Sequence, residues 1–459
     1  MFDLIILGGG PGGYELASNA ARKGLKTAIV EKGRFGGTCV TVGCIPSKAF
    51  LHAEKVFSEA KEGKNIGINL KEISFDQKQL VKYKDQKVTF LTQAAEMKVK
   101  RSGAKIYKGF GKIKETSKAQ DFKILINDQE EIGGKNLVIA TGSEVFYPPI
   151  PGLNKNDQTV IDSEKALALF EIPKKLVIMG GGVIGLELGT FFAGIGSEVT
   201  IVELAPKIAG PFDYEISLKL QQELEAKKKI KFLLEHKVSE VLNKEVICVD
   251  KNDKKIKLPF DKLLVAAGRK PFIKDFGLEN LRVYIEKGAI VTDENLKTNV
   301  PGLYAIGDVN GKSMLAHTAY REGEIVLENI LGNKIKINYD QIPSVIYCTP
   351  EVGEIGINED LAKKQGIEIR TKKIPMLYSG RFVIEIGNYA GKNFDGLLKI
   401  ILKKSTDEII GISLLGNYSS EIINMASVLI NKRYNSKSLK DVVFAHPTVG
   451  EIIKTAILE

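Results

Sequence analysis

One pattern occurs twice in this chain, and each copy dictates a parallel sheet with a helix packed against it. Near the N terminus an apolar strand, Asp3-Leu4-Ile5-Ile6-Leu7, runs into Gly8-Gly9-Gly10-Pro11-Gly12-Gly13. A helix-like stretch follows to about Gly24, and a second strand, Thr27-Ala28-Ile29-Val30, ends at Glu31. The same order returns in Leu176-Val177-Ile178-Met179, Gly180-Gly181-Gly182-Val183-Ile184-Gly185, a helix to about Gly196, and Glu198-Val199-Thr200-Ile201-Val202 closing at Glu203. In both copies the acid stands 23 positions after the first glycine. A lone GxGxxG is weak evidence, whereas strand, glycines, helix, strand and terminal acid together form a complete dinucleotide-binding fingerprint. Gly8, Gly10 and Gly13, and likewise Gly180, Gly182 and Gly185, allow a tight turn and close approach to a pyrophosphate. The helix N terminus faces the phosphates and the acid accepts from a ribose. Two copies imply two nucleotides. Glu203 fits a free 2′-hydroxyl and repels a 2′-phosphate, so the second site prefers NAD over NADP; Glu31 plays the same part in the first.

Between the copies lies Gly36-Gly37-Thr38-Cys39-Val40-Thr41-Val42-Gly43-Cys44-Ile45-Pro46-Ser47-Lys48, which holds two of only four cysteines. Five steps along a regular helix put two Cα atoms roughly 8.6 Å apart, and a disulfide needs less than about 7 Å. A regular helix therefore cannot bridge Cys39 and Cys44. Gly43 and Pro46 bend or interrupt helices, so a distorted first turn could bring the sulfurs together. A pair at a helix start also gains thiolate character. A zinc site needs a second ligand pair, and Cys248 and Cys348 are far apart in sequence, so no metal is expected. Spacing alone leaves a redox pair and inert buried thiols both open.

At 459 residues the chain is long enough for two to four domains. No apolar run approaches the roughly 20 residues that span a membrane. The N terminus reads directly as a strand, so no signal or transit peptide is expected, and scarce cysteine points to a reducing, cytoplasmic setting. The net charge is +10, but the lysines are spread widely, with short clusters such as Lys227-Lys228-Lys229. This reads as a lysine-rich solvated surface, not a nucleic-acid-binding patch.

Further strands end in small-residue turns at Leu137-Val138-Ile139-Ala140-Thr141-Gly142-Ser143 and Leu263-Leu264-Val265-Ala266-Ala267-Gly268-Arg269. Leu303-Tyr304-Ala305-Ile306-Gly307-Asp308 is another strand ending in an acid, and β-rich segments with helices follow from about residue 340. Among four histidines, His52 sits in a helical stretch, His236 among lysines, and His317 before Thr318-Ala319. Only His446 has a carboxylate, Glu451, a few residues on that could orient its ring.

In order, the cysteine segment, both fingerprints, Ala140-Thr141-Gly142, Gly307-Asp308 and His446-Pro447-Thr448-Val449-Gly450-Glu451 resemble the flavin-dependent pyridine nucleotide–disulfide oxidoreductases over essentially the whole chain. Met314-Leu315-Ala316-His317-Thr318-Ala319 and Ile184-Gly185-Leu186-Glu187-Leu188-Gly189 resemble the dihydrolipoamide dehydrogenase branch. Val40-Thr41 and Phe444 depart from that branch's usual residues. The resemblance implies an α/β fold of two Rossmann-like dinucleotide-binding domains, for FAD and NAD, plus a C-terminal α+β dimerisation domain. The boundaries expected are 1–145 for the FAD domain, 146–269 for the NAD domain, 270–338 for a return to the FAD-binding region, and 339–459 for the interface domain.

The resemblance also assigns roles. FAD takes the first fingerprint, with Gly111, Thr141, Gly142 and Ala316 lining its site and Asp308 on its ribityl chain. Lys48 sits near the flavin ring, paired with Glu187. NAD takes the second fingerprint, with Val238, Gly268 and Arg269 as further contacts. His446, oriented by Glu451, takes a proton from dihydrolipoamide. The thiolate attacks Cys39, Cys44 leaves as a thiolate and passes electrons to FAD, and a hydride moves on to NAD. His446 and Glu451 come from the neighbouring subunit of a homodimer, and the lipoyl group is carried by another protein of a multienzyme complex. No nucleic acid or membrane is expected as a partner. The rival readings are an NAD(P)H-dependent reductase of another low-molecular-weight disulfide and a non-catalytic flavoprotein subunit.

Overall fold

The computed structural model describes residues 1–115, 120–386 and 395–459. They divide into two compact units: Met1–Ser47, Val81–Phe146 and Gly268–Tyr339 form the first, and Lys48–Leu80, Tyr147–Ala267 and Asp340–Glu459 the second.

The first unit is built on a seven-stranded sheet in the order Lys105–Lys108, Thr27–Glu31, Phe2–Leu7, Glu130–Ile139, Phe122–Ile126, Gly111–Ile113, with Leu303–Ala305 also paired to Glu130–Ile139. Phe2–Leu7 lies parallel to both neighbours. Its apolar run is continuous because both faces are covered: Ile5 and Leu7 enter one core cluster, Leu4 and Ile6 the other. Fully burying each such side chain contributes about 1.5–3 kcal/mol. The strands Phe122–Ile126 and Gly111–Ile113 extend the sheet as an antiparallel meander.

In the second unit five parallel strands follow the order Lys231–Leu233, Glu198–Val202, Lys175–Met179, Lys262–Val265, Val160–Asp162. The helix Val183–Gly194 follows the glycine turn, and a three-stranded antiparallel sheet spans 236–259. A separate five-stranded antiparallel sheet, Ser344–Ile346, Val352–Gly356, Ile409–Leu415, Leu397–Lys403, Ile369–Ile374, builds the C-terminal part. Among the described residues, no helix is long and apolar enough to cross a membrane.

Three sequence expectations shift here. Residues 48–80 were placed inside a first domain of 1–145, yet they group with the second unit. The reason is aromatic packing: Phe50 lies 4.6 Å, centroid to centroid, from Phe191, and Phe75 contacts both Phe57 and Phe191. Gly268 and Arg269, expected in the NAD domain, belong to the first unit. The strand Arg269–Pro271 pairs there with Ser143–Val145, Arg269 opposite Val145. The Lys227-Lys228-Lys229 cluster is only partly solvated. Lys229 is exposed, but the half-buried Lys228 pairs with the fully buried Glu54, and Lys227 lies against Glu223 with its pKa lowered by burial.

Candidate active site

The two glycine turns share one geometry. Gly8 and Gly180 stand at φ 111° and 112°. A Cβ on Gly13 would lie 1.9 Å from the Gly8 carbonyl oxygen, and one on Gly185 would lie 2.0 Å from that of Gly180. Those positions take no side chain, because the helix start is pressed onto the turn. Gly182 faces open space, with nothing within 4 Å of a Cβ, and at Gly10 only the Gly37 Cα comes as near as 3.9 Å. The acids also match. Glu31 accepts from the backbone N–H groups of Gly9 (2.5 Å) and Gly33 (2.6 Å), and Glu203 from those of Gly181 (2.6 Å) and Ala205 (2.7 Å). Each carboxylate is thereby locked beside its glycine turn. Each oxygen keeps lone-pair capacity for a ribose hydroxyl, so the residues present fit a dinucleotide at both turns.

The cysteine segment is broken at Gly43, whereas Pro46 sits in the first turn of the next helix without interrupting it. Cys39 lies in the short helix Gly37–Thr41, and Cys44 is the first residue of the helix Cys44–Glu62. Val42, at φ −141°, and Gly43 interrupt the two. Cys44 is exposed and Cys39 half-buried. Gly36, at φ 99°, caps the short helix and donates to the Gly9 carbonyl at 2.8 Å, which ties the cysteine segment to the first glycine turn. Near Cys39 the Tyr14 and Tyr320 hydroxyls pair at 2.8 Å. Burial first, then this bond, raises the Tyr14 pKa, and the Cys39 charge adds to the effect.

Lys48, one turn into the helix Cys44–Glu62, reaches both Glu187 oxygens at 2.7 and 2.9 Å. Glu187 also accepts from the Tyr347 backbone at 3.1 Å, and the Lys48 ammonium sits 4.2 Å from the Tyr347 ring centroid. Cys348 is buried next to this group, and burial pushes its thiol up to about 12. Cys248, in the core of the second unit, is pushed up by burial to about 11.

His446 and Glu451 meet as expected, with Nδ1 at 3.0 and 3.1 Å from the two carboxylate oxygens. Thr448 N–H also donates to Glu451, at 3.1 Å. Burial raises the Glu451 pKa, but these two hydrogen bonds outweigh it and hold the carboxyl below its ordinary range. A carboxylate only accepts, so the His446 Nδ1 carries the proton and Nε2 is left as the basic nitrogen. The His446 side chain is 77% exposed.

Asp308 lies in the 3-10 turn Gly307–Asn310 that follows the strand Leu303–Ala305. It accepts from the Ser143 hydroxyl at 2.5 Å. The Thr141 hydroxyl donates to the Phe272 carbonyl at 2.7 Å, Gly142 has φ 73°, and Gly111 opens the strand Gly111–Ile113. Ala316 begins the helix Ala316–Ile330. Val238 is buried in the core of the second unit, at the register shift of the strand His236–Leu242. Of the remaining histidines, His52 and His317 are exposed, and His236 bonds the Leu234 carbonyl through Nδ1 at 2.6 Å. Sequence reasoning missed Ser143, Tyr347 and Tyr320, whose partners lie far away in sequence, and Glu322, whose partners lie 12 to 17 positions away.

This combination of turns, cysteines and folded-back acids defines a two-dinucleotide disulfide oxidoreductase. The chain matches the family model described as pyridine nucleotide-disulphide oxidoreductase over residues 2–323 and that family's dimerisation domain over 342–457. It belongs to this family. It is 38% identical to the mitochondrial dihydrolipoyl dehydrogenase of Pisum sativum, across 99% of this chain and 91% of that one. Among solved structures, the HOCl-induced flavoprotein disulfide reductase RclA from Escherichia coli superposes with a TM-score of 0.84 at 26% identity, covering 99% of both chains. LpdA from Mycobacterium tuberculosis shares the fold, with a TM-score of 0.89 at 20% identity over 99% of this chain and 98% of that one. As a family member the chain is an oxidoreductase that uses FAD and NAD.

Proposed function

We propose that this chain oxidises protein-bound dihydrolipoamide to lipoamide and reduces NAD to NADH, as a dihydrolipoyl dehydrogenase. The observation that carries the reading is the His446–Glu451 pair at 3.0 Å, which leaves an exposed basic Nε2 in a chain that also carries the Cys39–Cys44 motif. The pairing supports His446 as the general base that a dithiol needs before it can act as a nucleophile. His446 Nε2 removes a proton from one substrate thiol. The thiolate attacks Sγ of Cys39 in the oxidised Cys39–Cys44 disulfide, and Cys44 leaves as a thiolate. The second substrate thiol then displaces Cys39, closing the lipoamide ring. FAD, when bound on Gly8, Gly10, Gly13, Glu31 and Asp308, supplies the two-electron acceptor between the cysteine pair and NAD. Cys44 heads a helix of 19 residues, and the positive end of its dipole stabilises the thiolate form. The Lys48–Glu187 pair fixes the ammonium for the flavin side of that helix. Glu203, with no arginine after it in Leu204-Ala205-Pro206-Lys207, selects NAD.

The dimerisation-domain match supports a homodimer, and exposed apolar side chains in that region support an interface there: Ile384 is 77% exposed, Val443 90% and Leu458 58%. In this reading His446 and Glu451 serve the neighbouring subunit. The lipoyl group arrives on another protein of a multienzyme complex, and the +10 charge makes an acidic dock the natural complement. Affinity for the lipoyl-bearing partner then falls as salt rises; association unchanged across a salt titration refutes the electrostatic dock. Scarce cysteine supports a reducing compartment, which we assign to the cytoplasm; the Pisum sativum relative carries the word mitochondrial in its name.

The likeness to RclA, called a disulfide reductase, favours as second reading a reductase of another disulfide. The test is NADH formation from dihydrolipoamide and NAD by the purified flavoprotein. Turnover that vanishes in Cys44→Ser and collapses in His446→Gln supports the dehydrogenase. Flavin-loaded protein that is inert with dihydrolipoamide but reduces another disulfide from NADH or NADPH supports the reductase.

A further inference from the structure

The turn that presents Asp308 is gripped from two sides. On one side Arg269 donates twice to Ser143, from Nε to the hydroxyl at 2.7 Å and from Nη2 to the carbonyl at 2.8 Å. The Ser143 hydroxyl in turn donates to Asp308 Oδ2 at 2.5 Å. Antiparallel pairing of Ser143–Val145 with Arg269–Pro271 holds the two donors in register. On the other side Glu322, fully buried, accepts from the Gly307 backbone N–H at 2.5 Å, the Asn310 side-chain amide at 2.9 Å and the Tyr339 hydroxyl at 2.6 Å. The turn is therefore held from both sides, and one oxygen of Asp308 is already committed to Ser143.

We propose that Arg269 and Ser143 are positioning residues for the flavin: the guanidinium orients the Ser143 hydroxyl, and that hydroxyl fixes which Asp308 oxygen is free to meet the ribityl hydroxyls. Arg269 thus acts on the FAD site, not on the NAD site. A guanidinium offers its donors in a rigid fork, which suits simultaneous contact with a hydroxyl and its own carbonyl; a lysine supplies a single mobile ammonium. The proposal rests on the reading that Asp308 holds FAD.

The test is FAD release from the purified holoprotein, followed by recovery of flavin fluorescence on dilution, together with NAD binding by calorimetry. Arg269→Ala and Ser143→Ala should each raise the FAD dissociation constant roughly tenfold or more, because a hydrogen bond to a charged group is lost. The double variant should be no weaker than Ser143→Ala alone, since both act through one hydroxyl. Arg269→Lys should restore part of the loss, and NAD affinity should not change in any of them. Additive losses, or an NAD affinity that falls while FAD is retained, would overturn the proposal. Asp308→Asn reads the premise separately: if that variant binds FAD as tightly as the parent, the flavin reading of Asp308 fails and the relay fails with it. If Asp308→Asn releases FAD while Arg269→Ala and Ser143→Ala do not, the flavin reading stands and the relay alone is wrong.

Discussion

A few side chains bear the chemistry, and their neighbours decide what each can do. Glu451 keeps its charge through hydrogen bonds from His446 and the Thr448 backbone, so its pKa lies below the ordinary carboxylate range. A depressed carboxyl contributes its share of the pairing above the ordinary range and loses it only as the pH falls through the depressed value. From its depressed value up to neutral pH Glu451 therefore stays charged and keeps accepting from His446 Nδ1. Glu451→Gln keeps the volume and removes the charge; kcat should fall about 10²- to 10⁴-fold, the range for loss of general-base assistance, with flavin content unchanged. The thiols separate just as sharply. Burial raises Cys348 to about 12 and Cys248 to about 11, whereas Cys44 is exposed. After reduction at pH 8, iodoacetamide should modify the Cys39/Cys44 pair first and leave Cys248 and Cys348 intact until the protein is unfolded, as read by peptide mass spectrometry. The sequence sets Cys39 and Cys44 apart by their spacing, but the burial of Cys248 and Cys348 is seen only in the fold.

Two elements, each a glycine turn feeding a helix, set where the nucleotides go. Their backbone contacts are so close that a single methyl group tests each one alone. Gly185→Ala puts a Cβ 2.0 Å from the Gly180 carbonyl oxygen, and Gly13→Ala puts one 1.9 Å from that of Gly8. The first should lose NAD binding by at least tenfold, on the order of one lost charge-assisted contact, while keeping the yellow flavin. The second should lose the flavin. Visible absorbance and NAD calorimetry on the two proteins distinguish them. The repeat was legible because glycine, apolar strand and acid all recur at fixed spacing, and each is demanded by local backbone geometry. The helix Cys44–Glu62 was half legible. Gly43 announced the break before it, but nothing local announced that Phe50, in that helix, would pack with Phe191 and draw residues 48–80 into the second unit.

For the molecule as a whole, the exposed apolar side chains of the C-terminal region have an assembly consequence. Ile384→Asp combined with Val443→Asp should give a monomer by sedimentation that keeps its flavin. Such a monomer should still pass electrons from NADH to an artificial acceptor, yet fail to oxidise dihydrolipoamide. A monomer with full dihydrolipoamide activity would place His446 in the site of its own chain. By itself the sequence determined the two nucleotide units, the broken helix between the cysteines and the pairing of His446 with Glu451, because each is a short-range consequence of residue type and spacing. Only the tertiary structure decided that Arg269 stands with Asp308 through Ser143, that Lys228 pairs with the buried Glu54, and that Glu322 holds the Gly307 turn. Those contacts join residues from 12 to 174 positions apart. Most of them depend on strand pairing and core packing that bring distant segments together, and no local pattern of residues encodes which distant partner will arrive.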